Sequence, residues 1–366
     1  MRGEIVSFQL IDLGGTVDVS ALQQSLRDRK RGVRPGVGKG TPGYVEFPEP
    51  ITFELAPLRT TGPLGTLEAR VSIEYFPIGA ASVRFRVPIE VKKLSELREW
   101  SRTQVQWLGE TVSLEAAARR LVEQDRPQWD LALRDRYPSK MLHEIYTVFA
   151  FTQVDEEPDT FLQRHSEEVA GLLKGEDGTK LHAKEVKEAL REWFSYYKDD
   201  VIVVDWDAAL IVDRSPEYED LLFVLEIANL QLLQFRSYDD YLDDAIARGY
   251  DDLGRMYRRG GLLNRARKTA HDLSLLRMEV AELADEADNI TKFLGDWFLA
   301  RVYEAANEKF HLPQWRATVD EKLSVLNTQY QLANAEQDSR RMLVLEALIV
   351  LLFVIDLAGL FVLKLV

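Results

Sequence analysis

The sequence predicts an α+β head, followed by a long antiparallel helical hairpin that is coiled-coil-like and by one C-terminal transmembrane helix. Three observations predict this order. Polar and apolar side chains alternate over much of the first hundred residues, apolar residues recur at three-four spacing after residue 215, and the last 25 residues are almost wholly apolar. Alternation is typical of half-buried strands, and three-four spacing is typical of amphipathic helices. The predicted domains are a head at 1–214, with a break near 95–140 that would separate two subdomains, a helical stalk at 215–341 and a tail anchor at 342–364.

Composition excludes several classes of protein. The chain has 366 residues, a net charge of −14 and no cysteine, so disulfides, thiolate catalysis and cysteine-bound zinc or iron–sulfur sites are excluded. The acidic balance argues against a chain whose whole surface binds nucleic acid. The five histidines are scattered, and neither a His-Glu-x-x-His nor a Gly-x-Ser-x-Gly signature is present. We therefore predict a protein that is not an enzyme and that holds no cofactor and no metal.

The elements of the head are predicted from local patterns. In the segment 83–87, three apolar residues face one side and Arg84 and Arg86 face the other, which is the period of a half-buried strand. By the same pattern, strands are predicted at 4–13, 51–58, 67–78, 82–91 and 145–151, with two more in 199–213. Helices are predicted at 19–30, at 114–124 after a cap at Ser113, and at about 159–174 and 182–197.

Two segments of the head invite a ligand-binding interpretation. The basic loop, residues 27–40, is rich in arginine, lysine and glycine but fails the phosphate-binding pattern, because Gly38-Lys39 is followed by Gly40. A flexible basic loop is the simplest interpretation, and RNA or anionic lipid are the alternative partners. Asp205-Trp206-Asp207 resembles the acid-x-acid metal motif of sugar-nucleotide transferases, but no nucleotide-binding domain surrounds it. We predict a turn between two strands there.

The stalk is predicted from three heptad-like runs of apolar residues, with breaks at 258–261 and 311–313. Its first helix begins after Ser215 and carries an acidic patch at Asp239, Asp243 and Asp244. Carboxylates at this spacing fit a divalent cation or a solvated helix face, and the solvated face is the default.

Residues 342–363 of the predicted tail anchor would span about 33 Å as a helix. Glu346 and Asp356 are its only charged residues. Arg340 and Arg341 precede the segment and Lys364 follows it, so the positive-inside rule predicts a single-pass inner (cytoplasmic) membrane protein with its head in the cytoplasm. Acids inside a bilayer are costly. We expect Glu346 to reach the flanking arginines and Asp356 to lie at a contact within a homo-oligomer; ion or proton handling and a tolerated, protonated acid are the alternatives for Asp356.

Part of the sequence also resembles a known family. The tail carries Leu345-Glu346, an apolar run and a second acid at Asp356, ten residues after the first. Leu326-Asn327 precedes it, 294–308 is aromatic and rich in acids, and 225–233 fits more loosely. Over roughly 200–360 the chain therefore resembles the required-for-meiotic-nuclear-division family, a domain of unknown function. The resemblance implies a bacterial-type member; eukaryotic members are anchored to the mitochondrial inner membrane and are implicated in mitochondrial translation.

These observations predict a non-enzymatic, tail-anchored membrane protein with an assembly or scaffold role. Its expected partners are the lipid bilayer, further copies of itself and an unidentified cytoplasmic protein bound by the head. The first alternative is a membrane ion-handling protein that resembles the CorA magnesium-transporter architecture, although the two spans and the Gly-Met-Asn motif of that family are missing. The second alternative is a membrane-tethered enzyme with an unrecognised site.

Overall fold

The computed structural model describes residues 1–27, 50–215, 217–259, 278 and 297–363. The chain divides into two compact units. The first comprises Met1–Tyr241 with Glu282–Ala317, and the second comprises Leu242–Ala281 with Thr318–Val366.

Eleven of the described strands form one mixed sheet in the first unit. They are β1 (Arg2–Asp12), β3 (Ile51–Glu54), β4 (Leu58–Gly62), β5 (Gly65–Phe76), β6 (Ala80–Glu90), β7 (Gln104–Trp107), β8 (Glu110–Ser113), β10 (His143–Gln153), β11 (Trp193–Phe194), β12 (Asp200–Val204) and β13 (Ala208–Asp213). The order is β11-β12-β13-β10-β1-β6-β5-β4-β7-β8, and β3 also pairs with β5. β10 and β13 pair in parallel, whereas the other described pairs are antiparallel. The short strands β2 (Thr16–Val17) and β9 (Leu133–Arg134) form a separate pair.

The predicted fold class is wrong. A large mixed sheet occupies the first 215 or so residues, and helices follow it. Alternation locates strands but does not specify which distant segments pair. β1 lies between β6 and β10, which come about 80 and 140 residues later in the chain. This pairing draws the early and late strands of the head into one sheet.

The described helices begin and end at recognisable local signals. Their bounds are α1 (Val19–Ser25), α2 (Leu114–Gln124), α3 (Arg126–Ala132), α4 (Pro158–Arg164), α5 (Ser166–Lys174), α6 (Ala183–Ala189), α7 (Glu219–Arg259), α8 (Trp297–Lys309) and α9 (Leu312–Leu363). Ser113 caps α2 by accepting a hydrogen bond from the Ala116 N–H, as predicted. Gly175 ends α5 in the left-handed conformation with φ 64°, which glycine adopts without strain.

Helices cover the central strands on both faces. Every residue of β1 from Glu4 to Asp12 is buried. On one face, Ile5 and Ile11 join the main hydrophobic core, to which α2, α3, α4 and α5 contribute. On the other face, the side chain of Glu4 contacts Tyr218, immediately before α7. On this second face, Glu4 of β1 and Arg84 of β6 are buried, and Arg84 contacts Glu226 of α7.

The second unit contains the later part of α7 and most of α9. Leu242 of α7 is buried, as are Leu323 and Leu326 of α9. Gly249 permits a close approach, because a Cβ there would lie 2.2 Å from the Gln329 Oε1 atom. The second helix of the predicted hairpin, at 273–297, lies outside the described residues apart from positions 278 and 297.

The predicted transmembrane anchor is wrong. A helix that spans a bilayer needs about 20 consecutive, predominantly apolar residues. Within the ranges that the structure describes, no helix has the length and apolarity to cross a membrane. The single-pass inner-membrane placement fails for the same reason, as do the tail-anchored scaffold, the ion-handling protein and the membrane-tethered enzyme that depended on it.

Candidate functional site

A cleft of about 620 Å³ opens where β1, β5, β6 and β10 meet the beginning of α7. We call it the arginine–glutamate cleft. It is lined by Arg2, Gly3, Glu4, Leu67, Arg70, Arg86, Pro88, Ile89, Glu90, Thr152, Tyr218 and Glu219. This volume falls in the range of 300–1,000 Å³ that is typical of small-molecule sites.

Strand register brings the charged side chains of the cleft together. Arg86 of β6 lies opposite Val6 of β1 on one side and opposite Arg70 of β5 on the other. Directly opposed residues share a face of the sheet, and so do residues two apart in one strand. Glu4 is therefore on the same face as both arginines. The Glu4 carboxylate can bind the two neighbouring positive charges of Arg70 and Arg86.

Glu4 is the centre of the ion-pair network. Its carboxylate accepts hydrogen bonds from Arg86, from the Arg70 Nη2 at 2.9 Å and from the Tyr218 hydroxyl at 2.9 Å. Arg86 also contacts the Glu219 Oε1 at 2.6 Å. The Glu4 side chain is buried, so these bonds form in a region that water screens only weakly.

The environment fixes the charge of each central group. Burial raises the pKa of Glu4, but the hydrogen bond and charge of Arg86, with Tyr218 and Arg70, outweigh burial and hold that pKa below its usual value. Burial opposes the charge of Arg86, yet Glu4 and Glu219 raise the pKa of Arg86 above its usual value. Burial and the Glu4 carboxylate raise the pKa of the Tyr218 hydroxyl. At neutral pH the first two groups are therefore charged and Tyr218 is neutral.

The rim of the cleft is more open than its centre. The Arg70 side chain is 68% exposed, and its Nη2 donates to Glu4. Arg2 contacts Glu90 at 3.2 Å, and both side chains are largely exposed. The register of β1 against β10 shifts between Arg2 and Gly3, which is an irregularity of the β-bulge type that redirects a side chain. Gly3 is needed there, because a Cβ would lie 2.0 Å from the Ala150 carbonyl oxygen.

The predicted site residues lie elsewhere. Asp239, Asp243 and Asp244 are on α7, where Asp243 pairs with Lys322 at 2.6 Å. In the described part of the chain, no group of three histidine, cysteine or acidic side chains could hold a metal ion. Asp205-Trp206-Asp207 forms the turn between β12 and β13, as predicted, and the Asp205 carboxylate accepts from the buried Lys309 amine at 3.2 Å.

The predicted tail residues and the basic loop are described only in part. Glu346 is exposed on α9, among apolar side chains that are also exposed. Asp356, Arg340 and Arg341 belong to α9, but their side chains are outside the described part of the structure. Lys364 lies outside it, and so do residues 28–40 of the basic loop.

Sequence reasoning did not identify Glu4, Arg70, Arg86 and Tyr218 as site residues, although one signal was available. Residues 221–235, in the first part of α7, contain only four polar residues, which are Glu226, Asn229, Gln231 and Gln234, and the structure buries all but Phe223. A helix of that kind packs against other elements on most sides. This helix pattern could have indicated that a helix covers the polar face of β1 and β6. Charged residues on a covered face are unusual and would then have drawn attention as site candidates.

Comparison with known proteins gives one family and one relative. The family model described as "Uncharacterized protein MJ0711, N-terminal domain" matches residues 2–219. The uncharacterized protein MJ0711 of Methanocaldococcus jannaschii is 24% identical over 230 residues, which cover 62% of this chain and 68% of that protein. No solved structure matches.

The matched range, 2–219, includes every lining residue of the cleft. The resemblance to the required-for-meiotic-nuclear-division family is wrong, because the comparisons point to the MJ0711 family and nothing in them points to the other. Its motif consisted of leucines and two acids in an apolar run, and many helices share such a composition.

Proposed function

The chain belongs to the family of the MJ0711 N-terminal domain, and we propose that it is a non-enzymatic binding protein whose arginine–glutamate cleft holds a ligand by an anionic group. The observation that carries this proposal is Arg70, whose guanidinium donates to Glu4 through Nη2 and whose side chain is 68% exposed where it lines the cleft. The ligand chemistry is a carboxylate or a phosphate.

The shape of the guanidinium supports this choice of ligand. Arginine presents several N–H donors in a planar fork, which matches the oxygens of carboxylate and phosphate. The Glu4 bond to Arg70 involves Nη2, so it orients the fork without covering the side chain. An arginine oriented before binding loses less conformational freedom when the ligand arrives.

The charges at the centre of the cleft support binding rather than catalysis. A general acid or base works best when its pKa lies near the operating pH. In this cleft, the pKa of Glu4 is lowered, and the pKa values of Arg86 and Tyr218 are raised. Each shift moves the group away from neutral pH, so the three groups act as fixed charges and a fixed hydroxyl donor.

The test is calorimetric titration of the full chain at low ionic strength, with sodium phosphate in one arm and sodium acetate in the other. We expect one of the two anions to bind with measurable heat, which would identify the class of ligand. Arg70→Gln should weaken that binding about tenfold or more, because a hydrogen bond between charged groups contributes about 1.5–3 kcal/mol. Circular dichroism should show an unchanged fold, since the Arg70 side chain is exposed.

The matched control is Arg102→Gln. Arg102 is also exposed and also pairs with a glutamate, Glu99, at 3.1 Å, but it does not line the cleft. Its substitution should leave the affinity unchanged. If neither anion binds the wild-type chain, or if both substitutions weaken binding equally, the cleft is not an anion site.

A further inference from the structure

A cluster of exposed aromatic side chains lies at one end of the sheet. Trp193, Tyr196, Tyr197 and Trp297 are exposed by 45%, 57%, 66% and 77%. We call these four residues the aromatic edge. Large exposed aromatic residues that lie close together are typical of protein–protein contact surfaces.

The aromatic edge is built where the chain after α6 runs along α8. Arg191 contacts Glu308 at 2.9 Å, near the end of α8. Tyr196 contacts Phe298, near its beginning, with ring centroids 5.4 Å apart. The segment and the helix therefore run in opposite directions, which brings Tyr196 and Tyr197 to the end of α8 where Trp297 lies.

Hydrogen bonds hold the two tyrosines in place. The Asp200 carboxylate accepts from the Tyr196 N–H at 2.7 Å and from the Tyr197 N–H at 3.1 Å. The two rings meet edge to face with centroids 4.6 Å apart. The rings are therefore oriented before any partner binds, which lowers the entropic cost of binding.

The same surface includes the end of the sheet. β11 is the last strand in the order and, among the described strands, pairs only with β12. Trp193 and Phe194 are consecutive in β11, so their side chains point to opposite faces. Phe194 lies beneath Arg301 of α8, so Trp193 projects from the opposite face of the same edge strand. Unpaired edges favour pairing with another chain.

We propose that the aromatic edge is the contact between two copies of this chain. A surface next to an edge strand can meet its own copy about a two-fold axis, because two such edges pair antiparallel. An aromatic side chain buries about 150–250 Å². At the exposed fractions given above, the four side chains can supply at most about 500 Å² per copy and about 1,000 Å² per dimer, which is the lower bound for a specific interface. The area indicates a reversible dimer.

The charges beside the edge are compatible with self-association. Arg191 pairs with Glu188, Glu192 and Glu308, at 2.9–3.0 Å. The Asp200 carboxylate is bound by backbone N–H groups. A second copy therefore meets charges that are already paired, and the aromatic rings supply the contact.

The test is sedimentation equilibrium of the full chain over a range of concentrations. We expect a monomer–dimer equilibrium in the wild type. Tyr197→Ser and Trp297→Ser should each raise the dissociation constant by about thirtyfold, as is usual for a central aromatic residue of an interface. Both side chains are mostly exposed, so the variants should fold, which circular dichroism would verify.

The matched control is Tyr250→Ser. Tyr250 is 61% exposed, close to the value for Tyr197, but it belongs to the other unit. Its substitution should leave the dissociation constant unchanged. A wild-type monomer at all concentrations would overturn the proposal, even if the rings then bound a peptide. A dimer that the Tyr197 and Trp297 variants do not weaken would overturn it too, because another surface would then form the contact.

Discussion

The buried ion pairs beneath α7 give the sharpest prediction about stability. Glu226 of α7 is fully buried, and its carboxylate accepts from the Arg84 Nη2 at 2.6 Å and from the Ser82 hydroxyl at 2.7 Å. Arg84 is also buried and lies 3.3 Å from Glu74. We predict that Glu226→Ala destabilises the protein strongly and that Glu226→Gln does so less.

The magnitude follows from the burial. Removing one member of a buried pair leaves the other charge poorly compensated and costs about 3–5 kcal/mol. Two hydrogen bonds that involve a charged group, at about 1.5–3 kcal/mol each, give a similar range. We therefore expect Glu226→Ala to lower the free energy of unfolding by about 4 kcal/mol. Glu226→Gln should cost about 2 kcal/mol, since an amide oxygen still accepts a hydrogen bond and Arg84 keeps Glu74 as a counter-ion.

The assay is urea denaturation, combined with a double-mutant cycle on Glu226→Ala and Arg84→Met. The coupling energy between the two should be about 2 kcal/mol or more, because the residues are in direct contact. The matched control is the exposed pair Arg126–Glu123, for which the coupling should stay below about 1 kcal/mol. A loss below about 1 kcal/mol for Glu226→Ala, or equal coupling in both cycles, would refute the reasoning.

Two further predictions concern a turn and a buried histidine. Leu108 occupies the β7–β8 turn at φ 48°, and its side chain is 88% exposed. Leu108→Asn should therefore raise the free energy of unfolding by about 1 kcal/mol, whereas Gly109→Ala, at φ 89°, should lower it by a similar amount. Urea denaturation measures both changes, and a less stable Leu108→Asn would contradict the strain argument. Burial lowers the pKa of His143 to about 4, although Glu115 opposes the shift. The unfolded chain, whose histidine has a pKa near 6.5, therefore binds more protons than the folded chain between pH 4 and 6.5. The contribution of His143 to the free energy of unfolding is thus fully present above pH 6.5 and is lost as the pH falls towards 4. Relative to His143→Gln, the wild type should lose up to about 3 kcal/mol over that window, and parallel pH profiles for the two proteins would contradict the assignment.

Much of the sheet could be predicted strand by strand. The strands predicted at 4–13, 82–91 and 145–151 correspond to β1, β6 and β10, because alternation is a local property of the chain. The turn at Asp205-Trp206-Asp207 was also correct. Elements that depend on distant partners were predicted less well. The helix predicted at 182–197 ends at Ala189, because Trp193 and Phe194 pair with β12 instead.

The candidate site could not be predicted in the same way. Arg84 and Arg86 were correctly placed on one face of a strand, but a half-buried strand would expose them to water. The structure places α7 over that face, which makes Arg84 a buried ion and Arg86 part of the cleft. The family resemblance and the anchor were both wrong, and each depended on the composition of an apolar segment, which does not specify what surrounds it.

The sequence by itself determined where seven of the strands lie, which of their side chains share a face, where α2 is capped, and that cysteine chemistry is excluded. The seven strands are β1, β3, β5, β6, β10, β12 and β13. These properties depend on neighbours within a few residues. The tertiary structure alone decided that β1 pairs with β6 and β10, that α7 covers their polar face, and that Glu4, Arg70 and Arg86 meet in one cleft. The residues that meet there are separated by up to 214 positions, as Glu4 and Tyr218 are, and no periodicity within a segment encodes which distant segment will cover it.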